Sequence, residues 1–516
     1  MVSGCPGTKT FNIPVRKLTH IAYHLSKMAR QKEVFNAVEW KIRVADGSSE
    51  TLVPEAGLAS RLWLGVKNMI GGLVLKVWRF LEKAWDLGVD DPRKVIHCLK
   101  VGIALTVVSL FYYTRPLYEG VGGNSMWAIM TVVVVFENTV GATIAKCLNR
   151  VFGTLLAGFL ALGVHWIASQ SGEKLEPLIA GASLFLLASA ATFSRFIPTF
   201  KARFDYGALI FILTFSLVTV SGYRVDKLFN MAHQRISTIV IGTSLCILVS
   251  MFIRPIWAGK DLYNLIIRNM DKLANSIDGS VAEYFNRSGG LTDCEEEAQK
   301  VFLGYKCVLN TKATEESMAN FARWEPAHGR FNFRHPWKQY LKVGAAVRRC
   351  AYCIEALNAC INSDNQAPEF IKKLLGNTCL RVSSNSSSVV KELAKIIKTM
   401  KKSSTIDLLV EEMNAAVKEL KDDLKSLSLS EAGTSENKRT EKISSKPAAA
   451  IPLMGMISMV SFASFQIETA SRIDSIVEAV EELANLAEFE HPEKNKQNQA
   501  NIKVAANEQN DEETKV

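Results

Sequence analysis

The central part of the chain alternates long apolar runs with short polar connections. Six runs cover residues 96–113, 126–145, 151–168, 178–193, 207–222 and 236–253. A helix needs roughly 20 mainly apolar residues to cross a bilayer, and a helix satisfies its own backbone hydrogen bonds within lipid. The pattern therefore predicts an all-α fold with a six-helix transmembrane domain over 96–257.

Small residues recur every fourth position in the third run, at Gly153, Ala157 and Ala161. This spacing lets two membrane helices approach closely. We expect a tight helix–helix contact along this seam.

Apolar residues at helical spacing continue outside the apolar block. Residues 1–90 read as a cytosolic N-terminal arm, partly disordered, with an amphipathic helix near 62–85. That helix suits an anionic membrane surface or packing on another domain. Residues 259–430 predict a cytosolic helical domain, in which the serines at 383–388 indicate a turn or a helix entry.

The last part of the chain is predominantly polar. Residues 431–450 have few apolar side chains and predict a disordered linker. The apolar pattern returns over 451–490, which predicts a C-terminal helical segment and not a seventh crossing. The tail over 491–516 is again polar and is predicted to be disordered.

Basic residues flanking the apolar block indicate its orientation. Loop cations divide evenly between the two sides, but both flanks of the block are basic, at Lys83, Arg93, Lys94, Lys260, Arg268 and Lys272. The positive-inside rule then puts both termini in the cytosol. Topology does not explain the cations on the opposite side.

Composition argues against several functional classes. The 516 residues carry a formal net charge of +10, but zinc-finger spacing, an RNP-like segment and a basic zipper are absent, so nucleic acid is not an expected partner. Walker, nucleophile-elbow and HExxH sequences are also absent. We expect neither an enzyme nor a cofactor or metal. Cys350, Cys353 and Cys360 fit packed thiols better than a zinc or redox site.

Charged residues inside the apolar block form the candidate functional site. Between His97 and Trp257 there are twelve Lys/Arg and six Asp/Glu residues, an excess of six positive charges. Ionisable side chains at membrane depth typically mark solute pathways, and rings of Lys or Arg select anions. The predicted anion pathway comprises Lys100, Arg150, Arg195, Arg203, Arg224, Arg235 and Glu137.

The alternative for each cation is contact with lipid phosphate groups. Lys201, Arg203 and Lys227 fit that alternative best, whereas Lys100, Arg224 and Arg235 fit the pathway best. For the acid, the alternatives are a partner of one of the cations, a gate, or a helix-end carboxylate in water.

Several long motifs resemble one known family. WAIMTVVVVFENTVGAT (127–143), LNRVFGTLLAG (148–158), RFDYGALIFILTFSLVTVSGYR (203–224) and PIWAGKDL (255–262) resemble the aluminium-activated malate transporter family of plants. WEPAHGRF (324–331) resembles that family's Trp-Glu-Pro motif, and DDPRKVIHCLKVG (90–102) resembles its entry to the first span. The resemblance covers about residues 85–490; the long N-terminal arm is less typical.

The resemblance implies a passive channel for malate, and often for chloride, nitrate or sulfate. It further implies a dimer in the plasma membrane or the vacuolar membrane, with membrane lipid as a partner. The Trp-Glu-Pro motif corresponds to Trp324, Glu325 and Pro326, where we expect the proline to fix a turn and the glutamate to cap a helix or pair with an arginine. An aromatic segment that responds to GABA in some members corresponds to Phe211 to Phe215, although these residues also suit ordinary packing.

Two other functions remain open at this point. A looser likeness to the bacterial fusaric-acid-resistance proteins suggests a coupled exporter of aromatic or organic acids. A membrane-anchored interaction protein is the third possibility, and it leaves the intramembrane charges unexplained.

Overall fold

The structure of the chain is a computed structural model. It describes residues 40–43, 49–52, 58–113, 125–172, 174–221, 225–286, 299–332, 334–363, 367–436 and 453–490. These divide into two compact units, Met1–Pro92 and Arg93–Val516. The predicted transmembrane and cytosolic domains therefore belong to a single unit.

The N-terminal unit contains a hairpin and a long helix. Strands β1 (Trp40–Arg43) and β2 (Ser49–Leu52) pair antiparallel, and α1 runs over Leu58–Asp90. The hairpin is the exception to the predicted all-helical fold among the described residues. Helix α1 contains the predicted amphipathic segment, and large apolar side chains such as Trp78 and Trp85 are exposed on it.

Six helices occupy the apolar block in the described part of the chain. They are α2 (Pro92–Tyr113), α3 (Ser125–Val135), α4 (Val140–Gln170), α5 (Glu176–Ser194), α6 (Pro198–Ser221) and α7 (Val225–Phe252). Three have both the length and the hydropathy of a membrane span: Val140–Gln170, Glu176–Ser194 and Pro198–Val220. Phe159, Phe185 and other large apolar side chains point outward on them, as expected of a membrane domain.

The second and third predicted runs have different boundaries in the structure. The run over 126–145 is not continuous, because α3 ends at Val135 and α4 begins at Val140. The loop predicted between Ala145 and Val151 is wrong, since both residues lie inside α4. Lys146 and Arg150 are therefore helical side chains within the membrane domain.

The domain predicted to be cytosolic, called the C-terminal domain below, is a bundle of helices around one apolar core. Its elements are α8 (Ala258–Asn286), α9 (Tyr305–Leu309), α10 (Lys312–Ala322), α11 (Trp337–Ile361), α12 (Glu369–Thr399), α13 (Ile406–Glu436) and α14 (Leu453–Leu486). Leu262, Met270, Ile354 and Phe462 are fully buried in that core. The long C-terminal helix α14 thus completes the bundle.

The serine-rich stretch differs from its prediction as a turn or helix entry. It lies in the middle of α12, with Ser383, Ser386 and Ser387 buried. The Ser383 hydroxyl donates to the Ile277 carbonyl at 2.7 Å, across the contact with α8. Small side chains here let the two helices pack closely.

Predictions for the polar segments lie mostly outside the described residues. Helix α13 runs to Glu436, past the predicted start of the linker at 431. The rest of the linker over 437–450, the tail over 491–516 and residues 1–39 are not described.

Candidate anion site

The break between α3 and α4 positions Glu137. Thr139 caps α4 by accepting a hydrogen bond from the Ala142 amide at 3.3 Å. The Thr143 hydroxyl accepts from the Glu137 amide at 3.1 Å, so one threonine holds the connection from inside the helix. The Glu137 carboxylate, half-exposed, pairs with Lys146 in the second turn of α4.

Lys100 is the most deeply buried cation of the membrane domain among the described residues, with 1% of its surface exposed. It lies on α2 beside the buried cluster that contains Ala104 and Val108. Its ammonium has no hydrogen-bond acceptor and no carboxylate partner in the described part of the chain. His97, one turn earlier, interacts electrostatically with both Lys100 and Glu137, which places the three charged or polar groups in one region.

Tyr206 on α6 joins two cations of α4. Lys146 lies 5.6 Å above the centre of the Tyr206 ring, a favourable cation–π distance. The Arg150 guanidinium, 7% exposed, donates to the Tyr206 hydroxyl at 3.1 Å. These polar groups form a belt across α2, the connection before α4, α4 itself and α6. The belt consists of Lys100, His97, Glu137, Lys146, Tyr206 and Arg150.

A cleft of about 480 Å³ opens next to this belt. The membrane helices contribute Lys146, Asn149 and Tyr206, and the segment after α10 contributes Arg323 and Trp324. Lys201 and Arg203, both exposed, add two more cations. The single acid in the lining, Asp205, is occupied by Arg195 at 2.7 Å. The cleft is therefore strongly basic.

The seven predicted pathway residues thus have different settings. Lys100, Glu137 and Arg150 belong to the belt, Arg203 lines the cleft, and Arg195 is tied to Asp205. Arg224 lies outside the described residues, and the Arg235 side chain does as well.

Three belt members, His97, Lys146 and Tyr206, are not among the seven residues of the predicted pathway. Lys146 reaches Glu137 only because the chain turns back after the break. Tyr206 reaches Arg150 only because α6 packs on α4. The sequence carries no local signal for either contact, because both depend on how helices lie against each other.

Glu325 of the Trp-Glu-Pro motif, in the C-terminal domain, contacts the starts of two helices. Its buried carboxylate accepts from the amides of Ala258 at 2.6 Å and Gly259 at 3.1 Å, in the first turn of α8. It also accepts from the amide of Gly141, at the start of membrane helix α4. Burial raises the pKa of Glu325 to about 7 even though these amides favour the anion.

Two glycines allow this close approach. A Cβ atom on Gly141 would lie 2.4 Å from the Phe321 carbonyl oxygen. One on Gly259 would lie 2.4 Å from the Trp337 ring. Both positions therefore require glycine for the junction to close.

The rest of the motif packs around Glu325. The rings of Trp257 and His328 stack at 3.9 Å, and His328 also contacts the Pro326 carbonyl oxygen at 2.9 Å. Burial lowers the pKa of His335 to about 4, so this ring is neutral at pH 7. Trp324 faces the basic cleft, which brings the motif next to the belt.

Phe211 and Phe215 serve packing in the structure. They are buried, and their rings stack at 5.9 Å within the cluster that includes Ala157 and Ala161. A ligand would have to displace these contacts to reach them.

Comparison with known proteins identifies the family. A family model described as aluminium activated malate transporter matches residues 85–450. Aluminum-activated malate transporter 10 of Arabidopsis thaliana is 52% identical over 484 residues, covering 90% of this chain and 97% of that protein. Aluminum-activated malate transporter 2 of the same plant is 48% identical over 353 residues, or 68% of this chain and 70% of that protein.

A cereal relative extends the match. Aluminum-activated malate transporter 1 of Triticum aestivum is 40% identical over 391 residues, covering 74% of this chain and 83% of that protein. These relatives are transporters and not enzymes. By the extent of these matches, and with apolar helices suited to a membrane, this chain belongs to the aluminium-activated malate transporter family.

Proposed function

We propose that this chain forms a passive anion channel that conducts malate, and also chloride, nitrate and sulfate, across a plant plasma membrane or vacuolar membrane. The subunit crosses the membrane with the six helices α2 to α7, keeps both termini in the cytosol and works as a homodimer. Family membership and the apolar helices support this proposal.

The observation that carries the proposal is the Lys100 side chain, which is 1% exposed and pairs with no carboxylate among the described residues. A charge removed from water without a partner is costly, and the nearby Glu137 carboxylate is already paired with Lys146. A passing carboxylate or halide supplies the missing negative charge. Lys100 therefore selects anions and is the narrow, selective part of the pathway.

The basic cleft supplies the cytosolic entrance in this proposal. Lys201, Arg203 and Arg323 line it, and Lys146 lies at its inner side. Cations of one sign in a cleft raise the local concentration of anions and their rate of entry. We assign Arg224 and Arg235 to the opposite end of the pathway.

The test is whole-cell current with malate as the only permeant anion, comparing wild type, Lys100→Arg and Lys100→Glu. The arginine variant keeps the charge and should keep anion preference. The glutamate variant should abolish the current or shift its reversal potential toward cation preference. Lys421→Glu, which makes the same charge change on an exposed site of α13, should behave as wild type.

Unchanged reversal potentials in Lys100→Glu would remove this residue from the pathway. The same recordings separate the other functions. A coupled exporter would show flux that depends on a proton gradient, and a membrane-anchored interaction protein would show no current.

A further inference from the structure

A second, much smaller cavity lies inside the membrane domain. Its volume is about 20 Å³. Four polar side chains line it, Arg150 and Thr154 from α4, Thr214 from α6 and Thr238 from α7, and the remaining lining is aliphatic apart from Trp127. All four polar side chains are at least nine-tenths buried.

Two groups in this lining have no partner. The buried Arg150 Nε and the buried Thr154 hydroxyl make no hydrogen bond in the structure. The Tyr206 hydroxyl accepts a hydrogen bond from another guanidinium nitrogen, Arg150 Nη1, and supplies no negative charge. A buried N–H and a buried hydroxyl left unbound each carry a substantial desolvation cost.

The positive charge of Arg150 also lacks a counter-charge at this cavity. Among the residues that the structure describes, no carboxylate pairs with Arg150. Glu137 is paired with Lys146, and Asp205 with Arg195. An arginine side chain carries a positive charge, and none of the residues that the structure describes supplies a carboxylate to compensate it in this apolar surrounding.

Size restricts what fits. A cavity needs a volume of roughly 10–15 Å³ to hold one water molecule. This cavity, at about 20 Å³, therefore admits a single water or a monatomic ion of similar size. Malate is several times larger and does not fit. Water would bind the two unpartnered groups but would leave the charge uncompensated.

We propose that this cavity binds one monatomic halide, in a cell chloride, as a fixed counter-ion of Arg150. The halide accepts hydrogen bonds from Arg150 Nε and the Thr154 hydroxyl, with the Thr214 and Thr238 hydroxyls completing the polar side of the cavity. The proposal goes beyond the conduction proposed above, because a counter-ion held by buried side chains can remain bound in a channel that carries no current.

The test uses the purified full-length protein in detergent. Chloride is exchanged for gluconate at constant ionic strength, and the thermal unfolding temperature is followed while chloride is added back. A ligand that binds only the native state raises this temperature in a saturable way. We expect saturable stabilisation by chloride and bromide, and none by malate.

Variants assign the effect to the cavity. Thr154→Val removes one donor at similar volume and should weaken chloride binding about tenfold, the loss expected for one hydrogen bond to a charged group. Arg150→Gln should abolish the chloride dependence. Thr131→Val is the matched control, since Thr131 is buried in the same domain outside this cavity and its hydroxyl is bound to the Trp127 carbonyl.

Equilibrium binding of radioactive chloride gives a second readout that does not depend on unfolding. We expect one chloride per chain, not displaced by malate, and weaker binding in Thr154→Val even if Arg150→Gln does not fold. Equal chloride dependence in wild type and Thr154→Val, or occupancy by water alone with no bound chloride, overturns the proposal. Bound chloride in an electrically silent protein would contradict the channel and not this site.

Discussion

Glu325 connects a membrane helix with a helix of the C-terminal domain through a single carboxylate. Its oxygens accept from the amides of Ala258, Gly259 and Gly141, so one residue caps the starts of both α8 and α4. Helix starts carry unsatisfied amides and a partial positive charge, which a carboxylate satisfies well. Burial of the carboxylate disfavours its anionic form and raises the pKa of Glu325 to about 7.

This raised pKa predicts a specific pH dependence of stability. Between its ordinary pKa of 4.5 and about 7, native Glu325 binds a proton that the unfolded chain releases. Its contribution to stability is therefore complete below pH 4.5 and is lost as the pH rises through 7. Replacing it in Glu325→Gln should remove on the order of 3 kcal/mol of this pH-dependent change.

The measurement is the unfolding free energy of purified protein between pH 5 and pH 8. Two ionisable groups near Glu325 also affect the pH dependence: His328, whose Nε2 lies 3.9 Å from the Glu325 carboxylate, and Asp261. His328→Gln is therefore measured in parallel. Glu316→Gln, an exposed acid on α10, should keep the wild-type slope. Identical slopes in wild type and Glu325→Gln would contradict the prediction.

At the scale of elements, the contact between α4 and α6 depends on the absence of side chains. A Cβ on Gly153 would lie 2.7 Å from the Gly207 carbonyl oxygen. Ala157 and Ala161, one and two turns later, are buried in the same seam against Phe211 and Phe215. Small residues let the backbones approach, and packing then holds the helices together within lipid.

Gly153→Ala should destabilise the membrane domain by about 1–3 kcal/mol, because the added methyl group forces the two backbones apart. Gly158→Ala lies on the same helix with no atom within 4 Å of its new methyl group, and should change stability little. Thermal unfolding of both variants in detergent measures the difference. The interpretation fails if the two alanines have the same effect.

At the scale of the whole molecule, the membrane helices and the C-terminal domain meet at one continuous junction. The Val140 amide donates to the Ile256 carbonyl at 2.9 Å, and Arg93 pairs with Asp261 at 2.7 Å. Glu325 adds its bonds to both sides. Because the junction contacts the start of α4, whose next turns carry Lys146 and Arg150, we expect changes in the C-terminal domain to reach the belt.

Gly141→Ala tests this coupling. Its methyl group would strike the Phe321 carbonyl oxygen, so the junction should loosen although no belt side chain is itself replaced. We expect a smaller malate current per channel at the cell surface and an unchanged malate-to-chloride permeability ratio.

Gly102→Ala, on α2 with open space around it, is the control and should leave the current as in wild type. Surface labelling corrects both variants for expression. A large change in the permeability ratio of Gly141→Ala would show that the junction shapes the selective part of the pathway directly.

The sequence by itself determined the helices and their general order. The spacing of Ile406, Met413, Val417 and Leu420 predicts one face of α13, and all four are buried in the structure. The apolar runs likewise predict helices α2 to α7, and the motif sequences identify the family. These features are local, since hydrophobic periodicity and run length are read within one segment.

Only the tertiary structure decided where helices break and which charges meet. The break at Glu137 lies in a run that stays apolar on both sides, and the buried serines of α12 are helical because α8 packs against them. Lys146, Tyr206 and Glu325 each find partners in other elements. Such contacts depend on packing between distant segments, which no periodicity within a single segment records.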